Sequence, residues 1–213
     1  MSCCCPHSKS GGRIFSFFAR SYRRRFTRKG FEPSQRQLMQ GIDNTGYKDA
    51  TLLEVGSGVG YLHQVLLAQG AKSAVGIDLA PDMLKEAQEW ANEKGLSGRV
   101  QYIQGDFIEL LDQVEAADVT ILDKVVCCYP DAELLVKSAI AKTSHVYALT
   151  YPRNRWFIKA AVAVSAFFLK LTGSDFRPYV HHPDNIESWI IKAGFKKVYH
   201  QQTFIWLTQV FTK

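Results

Sequence analysis

The stretch from Thr51 to Gly70 reads TLLEVGSGVGYLHQVLLAQG. A short apolar run, Thr51–Val55, passes straight into Gly56-Ser57-Gly58-Val59-Gly60. After the glycines, Leu62, Val65, Leu66 and Gln69 keep a helical period until Gly70 stops it. The order is strand, glycine loop, helix. Glycine lets backbone pass close to a ligand, and the first turn of the following helix offers free N–H groups.

The same alternation continues downstream. Ser73–Ile77 predicts a second strand ending at Asp78, and Ala80–Lys94 a helix opened by Pro81. Arg99–Gln104 predicts a third strand, followed by Gly105-Asp106, and Ala117–Leu122 a fourth, followed by Asp123. Asp131–Lys142 reads as a helix and Ser144–Thr150 as a fifth strand. Asn154–Leu171 predicts an apolar helix, read as a buried core element or, functionally, as a hydrophobic cover over a lipophilic acceptor or a contact with a membrane face, and Pro183–Ala193 a shorter one. The tail from Phe195 reads as two strands joined by a turn near Gln201–Thr203. Together these predict an α/β, Rossmann-like fold: a doubly wound, mostly parallel seven-stranded sheet with a C-terminal antiparallel hairpin.

A length of 213 residues suits one domain. The net charge of +6 is unevenly spread. Residues 1–30 hold eight basic residues and no acid, so the remainder is slightly acidic. Residues 1–12, small and polar, read as a flexible tail. Residues 13–48 read as a basic helical arm or lid. Ile14, Phe17, Phe18, Tyr22 and Phe26 share one face there, and a second helix spans Pro33–Ile42. Residues 49–213 form the main domain, with 151–182 as a substrate-side insertion. The five cysteines (Cys3, Cys4, Cys5, Cys127, Cys128) do not form a disulfide framework, and no run reaches the roughly 18 apolar residues of a membrane span. With no apolar core of a signal peptide near Met1, a cytoplasmic location is expected.

In open α/β sheets ligands bind beyond the carboxyl ends of the strands. Four carboxylates gather there: Glu54 before the glycines, Asp78 twenty-two residues after Gly56, Asp106 and Asp123. The glycine spacing is GxGxG. A dinucleotide site would want glycine or alanine where Tyr61 stands.

LLEVGSGVG and the acids after the second, third and fourth strands resemble the class I S-adenosylmethionine-dependent methyltransferases, across Thr51–Thr150. The resemblance implies methyl transfer with S-adenosylmethionine as cofactor and S-adenosylhomocysteine as product. It implies Gly56, Gly58 and Gly60, with Ser57 among them, along the methionine part, and Glu54 orienting the loop and the amino group. Asp78 would hold the ribose hydroxyls and Leu79 pack on the adenine. Asp106, after Gly105, would bond the adenine amino group beside Phe107. Asp123 would lie nearest the methyl group.

The loop after the fourth strand, LDKVVCCYPD, departs from the Asp/Asn-Pro-Pro-Tyr of the family's amine methylases. Cys127 and Cys128 there are core packing, substrate contacts or soft ligands for a metalloid. Without a C-x-x-C pair, no resident metal is expected. On the acceptor side, the arm contributes Tyr22, Phe26, Phe31, Gln35 and Gln37. The loop and the insertion contribute Tyr129, Arg153, Arg155 and Tyr179. His181 and His182 are the candidate general bases, because histidine titrates near neutrality.

The leading reading is methyl transfer to a small, apolar acceptor through oxygen, nitrogen or sulfur. Alternatives are nucleic-acid methylation guided by the basic arm, thiol or metalloid methylation at Cys127 and Cys128, and a non-catalytic membrane-associated protein that keeps the cofactor fold. Peripheral membrane contact through residues 13–29 is a further expectation.

Overall fold

A computed structural model describes residues 6–213, so Cys3–Cys5 and their expected roles lie outside the described residues. The elements are α1 (Pro6–Lys29), α2 (Pro33–Asp43), β1 (Thr51–Val55), α3 (Tyr61–Ala68), β2 (Ser73–Asp78), α4 (Pro81–Glu93), β3 (Val100–Gln104) and β4 (Ala117–Asp123). There follow α5 (Ala132–Ala141), β5 (Thr143–Pro152), α6 (Trp156–Leu171), α7 (Pro183–Lys192), β6 (Lys196–Gln202) and β7 (Trp206–Thr212).

One seven-stranded sheet runs in the order β3-β2-β1-β4-β5-β7-β6. The first five strands are parallel, and β7 lies antiparallel to both β5 and β6. The strand order reverses at β1, which pairs with β2 on one side and β4 on the other. That switch point opens a crevice at the carboxyl ends of β1 and β4.

Strand alternation builds two cores. Leu53, Val55, Leu122 and Leu149 pack with Leu135 and Val136 of α5 and Ile186 and Ile190 of α7. Leu52, Ala74, Val119, Ile121 and Val146 pack with Leu38 and Ile42 of α2 and Leu62 and Leu66 of α3. A third, small cluster joins Ala19 of α1 to Val59, Ala80 and Met83, above the strand ends.

Two expectations are corrected. Residues 6–12 are helical, and α1 starts at Pro6 instead of Arg13. Gly11 and Gly12 act here as points of close approach. A Cβ on Gly12 would lie 2.9 Å from the Leu79 carbonyl oxygen, and one on Gly11 3.1 Å from the Phe176 ring. The helix can seat on the domain only because those side chains are missing. The second correction concerns α6, which is not a core helix: Ile158 is its one buried residue.

Candidate active site

The crevice is an open-mouthed cleft of about 190 Å³, concave and largely apolar as small-molecule sites are. Gly56, Ser57 and Gly58 line its floor, with Glu54, Asp78, Leu79, Gly105, Asp106, Phe107 and Asp123. Tyr22 and Tyr129 also line it.

Hydrogen bonds fix the glycine loop. Asp78 Oδ2 accepts from the Gly58 N–H at 2.7 Å and Oδ1 from the Ala80 N–H at 2.8 Å. The Ser57 N–H donates to the Ile77 carbonyl at 2.9 Å. Gly58 has φ +54° and open space where a Cβ would stand, so a side chain there would strain the backbone and project into free volume. A Cβ on Gly56 would collide with the Val125 side chain. Gly60 lies outside the lining: its φ is +75°, and a Cβ would meet His63 and the Tyr102 hydroxyl at 2.9 Å. Its glycine character lets α3 begin against β3.

Beneath the loop, Glu54 is buried with an imidazole that the sequence reading missed. His63 Nδ1 lies 2.5 Å from Glu54 Oε2, and Nε2 lies 2.9 Å from the Tyr102 hydroxyl. Gln64 Nε2 donates to the same hydroxyl at 2.8 Å. This chain assigns the proton to Nδ1, with Nε2 accepting from tyrosine. Burial pushes the Glu54 carboxyl above its ordinary range, opposed by the His63 contact. The available signal was the buried acid itself, which requires a partner within the first turn of α3.

Asp123 ends β4. Its Oδ2 accepts from Gln35 Nε2 at 2.8 Å, and the Lys124 ammonium is 3.9 Å away. Its Oδ1 is buried with no hydrogen-bond partner among the described residues. Burial drives its pKa up, opposed by Lys124 and Gln35. Gln35 reaches it because α2 starts there: Glu32 is the N-cap, its N–H donating to Gln35 Oε1 at 3.1 Å in a capping box. The Gln35 amide also donates to the Tyr61 hydroxyl at 3.0 Å. Lys124 adopts φ +62°, costly for a side chain with a Cβ, and is held by Glu32 at 2.5 Å and over the Trp206 ring at 5.3 Å. Burial would push Glu32 up, but Lys124 and Arg25 outweigh it and hold this carboxyl below its ordinary value.

Helix α1 walls the cleft through Phe15 and Tyr22. Ser8 Oγ donates to Asp106 Oδ2 at 2.9 Å, while Asp106 Oδ1 accepts from the Ile108 N–H at 3.0 Å. Arg23 spans Glu86, Glu89 and Glu93 of α4 at 3.1, 3.2 and 2.6 Å. Phe26 stacks on Tyr61 with centroids 4.5 Å apart, outside the lining. Phe31 packs edge-on to the same ring, and Gln37 turns to the Gln202 carbonyl.

The cysteines occupy a 3-10 turn, Val126–Cys128. Cys127 is buried below the cleft and Cys128 lines it, with sulfurs 3.8 Å apart. The contact with Cys128 and burial raise the Cys127 thiol well above its ordinary pKa, which disfavours the reactive thiolate. Among the described residues no group of three or more His, Cys, Asp or Glu could hold a metal ion.

Five other candidates lie outside the lining. His181 Nε2 sits 3.0 Å from the Tyr129 carbonyl, with its ring stacked on Tyr179, and burial lowers its pKa. His182 is the N-cap of α7, 3.5 Å from Asp184. The Tyr179 N–H donates to the Cys127 carbonyl at 2.7 Å. Arg153 donates to the Thr203 carbonyl at 2.9 Å, and Arg155 is the N-cap of α6. His181 and Arg153 thus spend side-chain nitrogens on backbone carbonyls of the cleft loop and the hairpin, and Tyr179 ties its backbone to the same loop.

Four carboxylates therefore meet one lining cation, Lys124, around a glycine cradle. A methyltransferase domain family matches residues 52–145. The strand order, the glycine loop and this match mark residues 52–145 as a methyltransferase domain of Rossmann-like fold.

Among solved structures, the chain is similar to magnesium protoporphyrin IX methyltransferase from Synechocystis PCC 6803 with bound SAH. The identity is 16%, the TM-score 0.70, and 94% of this chain and 98% of that chain are covered. An O-methyltransferase family 2 protein from Planctomyces limnophilus, in complex with apigenin, matches at 18% identity and TM-score 0.69, over 95% of this chain and 61% of that one. Ribosomal protein L11 methyltransferase of Haemophilus influenzae (strain PittEE) is 32% identical over 77 residues, which are 36% of this chain and 26% of that protein. The chain thus matches about a quarter of the length of that relative.

Proposed function

We propose that this protein transfers a methyl group from S-adenosylmethionine to a small, largely apolar acceptor. The observation that carries the reading is the lining of the cleft: a glycine cradle ringed by Glu54, Asp78, Asp106 and Asp123. A cofactor bearing a sulfonium and an ammonium group suits such a negative site. When bound, it supplies an electrophilic methyl group.

The chain's own residues do the rest. Asp78 holds the loop and offers its remaining lone pair to ribose hydroxyls. Leu79, Phe107 and Met83 give the adenine an apolar slot. Asp123 is the proton-handling group: buried, with Oδ1 unpartnered and its affinity for protons raised. It accepts the hydrogen bond of the acceptor's O–H, N–H or S–H and draws off the proton as the methyl group arrives. That role passes to Asp123 from His181 and His182, which lie outside the lining. Phe15, Tyr22, Val125 and Tyr129 give the acceptor end an apolar and aromatic wall. Holding the acceptor in line with the methyl group is the larger part of the rate enhancement in such a displacement.

The test uses methyl-labelled S-adenosylmethionine, purified protein and a cell extract, separated into polar metabolites, lipids, nucleic acid and protein. Label in the metabolite or lipid fraction is expected. Label in nucleic acid or protein would overturn the small-molecule reading, and no labelled product in any fraction would argue against turnover.

A further inference from the structure

Helix α6 has an apolar face that none of the described residues covers. Trp156 is 81% exposed, and Val164, Phe167 and Leu171 follow it at spacings that place all four on one stripe. Lys159 and Lys170, eleven residues apart, stand together at one edge of that stripe. The stripe continues onto the hairpin tip. Phe204, 73% exposed, stacks on Phe157 of α6 at 4.9 Å, with Ile205 exposed beside it.

The backbone of the tip is prepared to leave water. The Arg153 guanidinium donates to the carbonyls of Thr203 at 2.9 Å and Phe204 at 3.4 Å, and the Arg153 N–H donates to that of Ile205 at 2.8 Å. A loop whose carbonyls are satisfied internally can enter an apolar medium at low cost.

We infer that α6 and the hairpin tip form a docking surface for an anionic lipid bilayer. Charge selects this occupant. Residues 151–174 carry Arg153, Arg155, Lys159 and Lys170 and no acid. Lysines edging an apolar stripe extend their ammonium groups to lipid phosphates while their stems lie on the hydrocarbon. A second copy across a two-fold axis would bring those lysines toward each other with no acid in the segment to meet them. The 16 residues of α6, about 24 Å long at 1.5 Å per residue, do not cross a membrane, and no described helix is long and apolar enough to do so. Helix α6 lies in the interface plane with its stripe in the headgroup–acyl boundary.

Flotation of the full chain with vesicles tests this without any reference to methyl transfer. Wild type is expected to float with phosphatidylcholine–phosphatidylglycerol vesicles, and weakly with phosphatidylcholine alone. The double variant Phe167→Asp/Leu171→Asp should stay at the bottom with both, while its thermal melting is unchanged because both side chains are exposed. Lys159→Glu/Lys170→Glu should lose roughly tenfold or more in partitioning to anionic vesicles, at about fivefold per charge, and show no preference between the two vesicle types. Wild type that fails to float, or an aspartate variant that floats as well as wild type, overturns the inference. So does a dimer disrupted by Phe167→Asp/Leu171→Asp in a chain that never floats.

Discussion

Asp123→Asn should make the protein more stable and less active, by amounts that depend on pH. In the wild type one carboxylate oxygen has a Gln35 hydrogen bond and the other has none. Leaving a buried polar oxygen unsatisfied costs about 1–3 kcal/mol, with charged groups at the upper end. Asparagine keeps an oxygen for Gln35 and replaces the charged, unpartnered oxygen with a neutral NH₂. Its hydrogen bond with Gln35 is weaker by about 1 kcal/mol, since neutral pairs lose the charge assistance. The net gain is about 1 kcal/mol, or a rise in Tm of roughly 2–4 °C for a chain of this size.

The pH dependence follows from the direction of the shift. Burial holds Asp123 above its ordinary value of 3.8, so ionising it costs the folded state more than the unfolded chain. Below 3.8 both states are protonated and the cost is absent. As pH climbs from there through the raised folded value, wild-type stability falls, and above that value it levels off. Glu54 and Asp78 are shifted the same way, so the variant removes only part of the slope. Urea denaturation across that range, on both proteins, measures the gap. Turnover should fall by about 10² or more if Asp123 handles the acceptor proton. A variant less stable than wild type at neutral pH, or a gap that narrows as pH rises, would refute the reasoning.

Other substitutions probe the same site. Gln35→Leu breaks the capping box and removes the Gln35 hydrogen bond to Asp123, so chemical denaturation should show a loss of about 2–4 kcal/mol; a loss under about 1 kcal/mol would mean that Gln35 does not secure Asp123. His63→Leu leaves Glu54 buried without its imidazole and should cost about 3–5 kcal/mol at neutral pH, recovered in part by adding Glu54→Gln; no recovery would show that packing, not the pair, is at stake. Arg23→Ala should weaken S-adenosylhomocysteine binding in calorimetry several-fold by loosening α1, and cost about 1 kcal/mol, less in high salt; unchanged affinity would separate α1 from the cofactor. Cys127→Ser should lower stability by about 1 kcal/mol or more by burying a hydroxyl, whereas Cys128→Ser should leave turnover unchanged. A Cys128→Ser enzyme without turnover would restore the thiol to the chemistry.

Much of the cleft was legible in the sequence because its signals are local. A strand, a glycine loop and a helix follow one another within twenty residues, and each acid closes a strand. Side-chain alternation then fixes which end of the sheet they share. What was not legible depends on distant partners. Gly11 and Gly12 carry the composition of a flexible tail, and only the packing against Leu79 and Phe176 turns them into a helical seat. His63 carries no mark in a helix of apolar period until the sheet register sets Glu54 beside it. The apolar period of α6 reports a face that avoids water in general, not whether protein covers it. His181 and Arg153 carried the chemistry expected of a site, but their side-chain nitrogens meet backbone carbonyls that the sequence does not place next to them.

The way α1 is fastened has a kinetic consequence. The helix crosses the cleft and is secured at one end by Ser8 on Asp106 and further along by Arg23 on three glutamates. Product release should require part of this fastening to open, and the Arg23 share of it is ionic. A helix held in this way makes ionic strength a control on residence time. Added salt should speed departure of S-adenosylhomocysteine in stopped-flow measurements, and Arg23→Ala should abolish that acceleration. Where release is slower than transfer, the turnover number is then set more by the charges on the outer side of α1 and α4 than by the groups that touch the methyl.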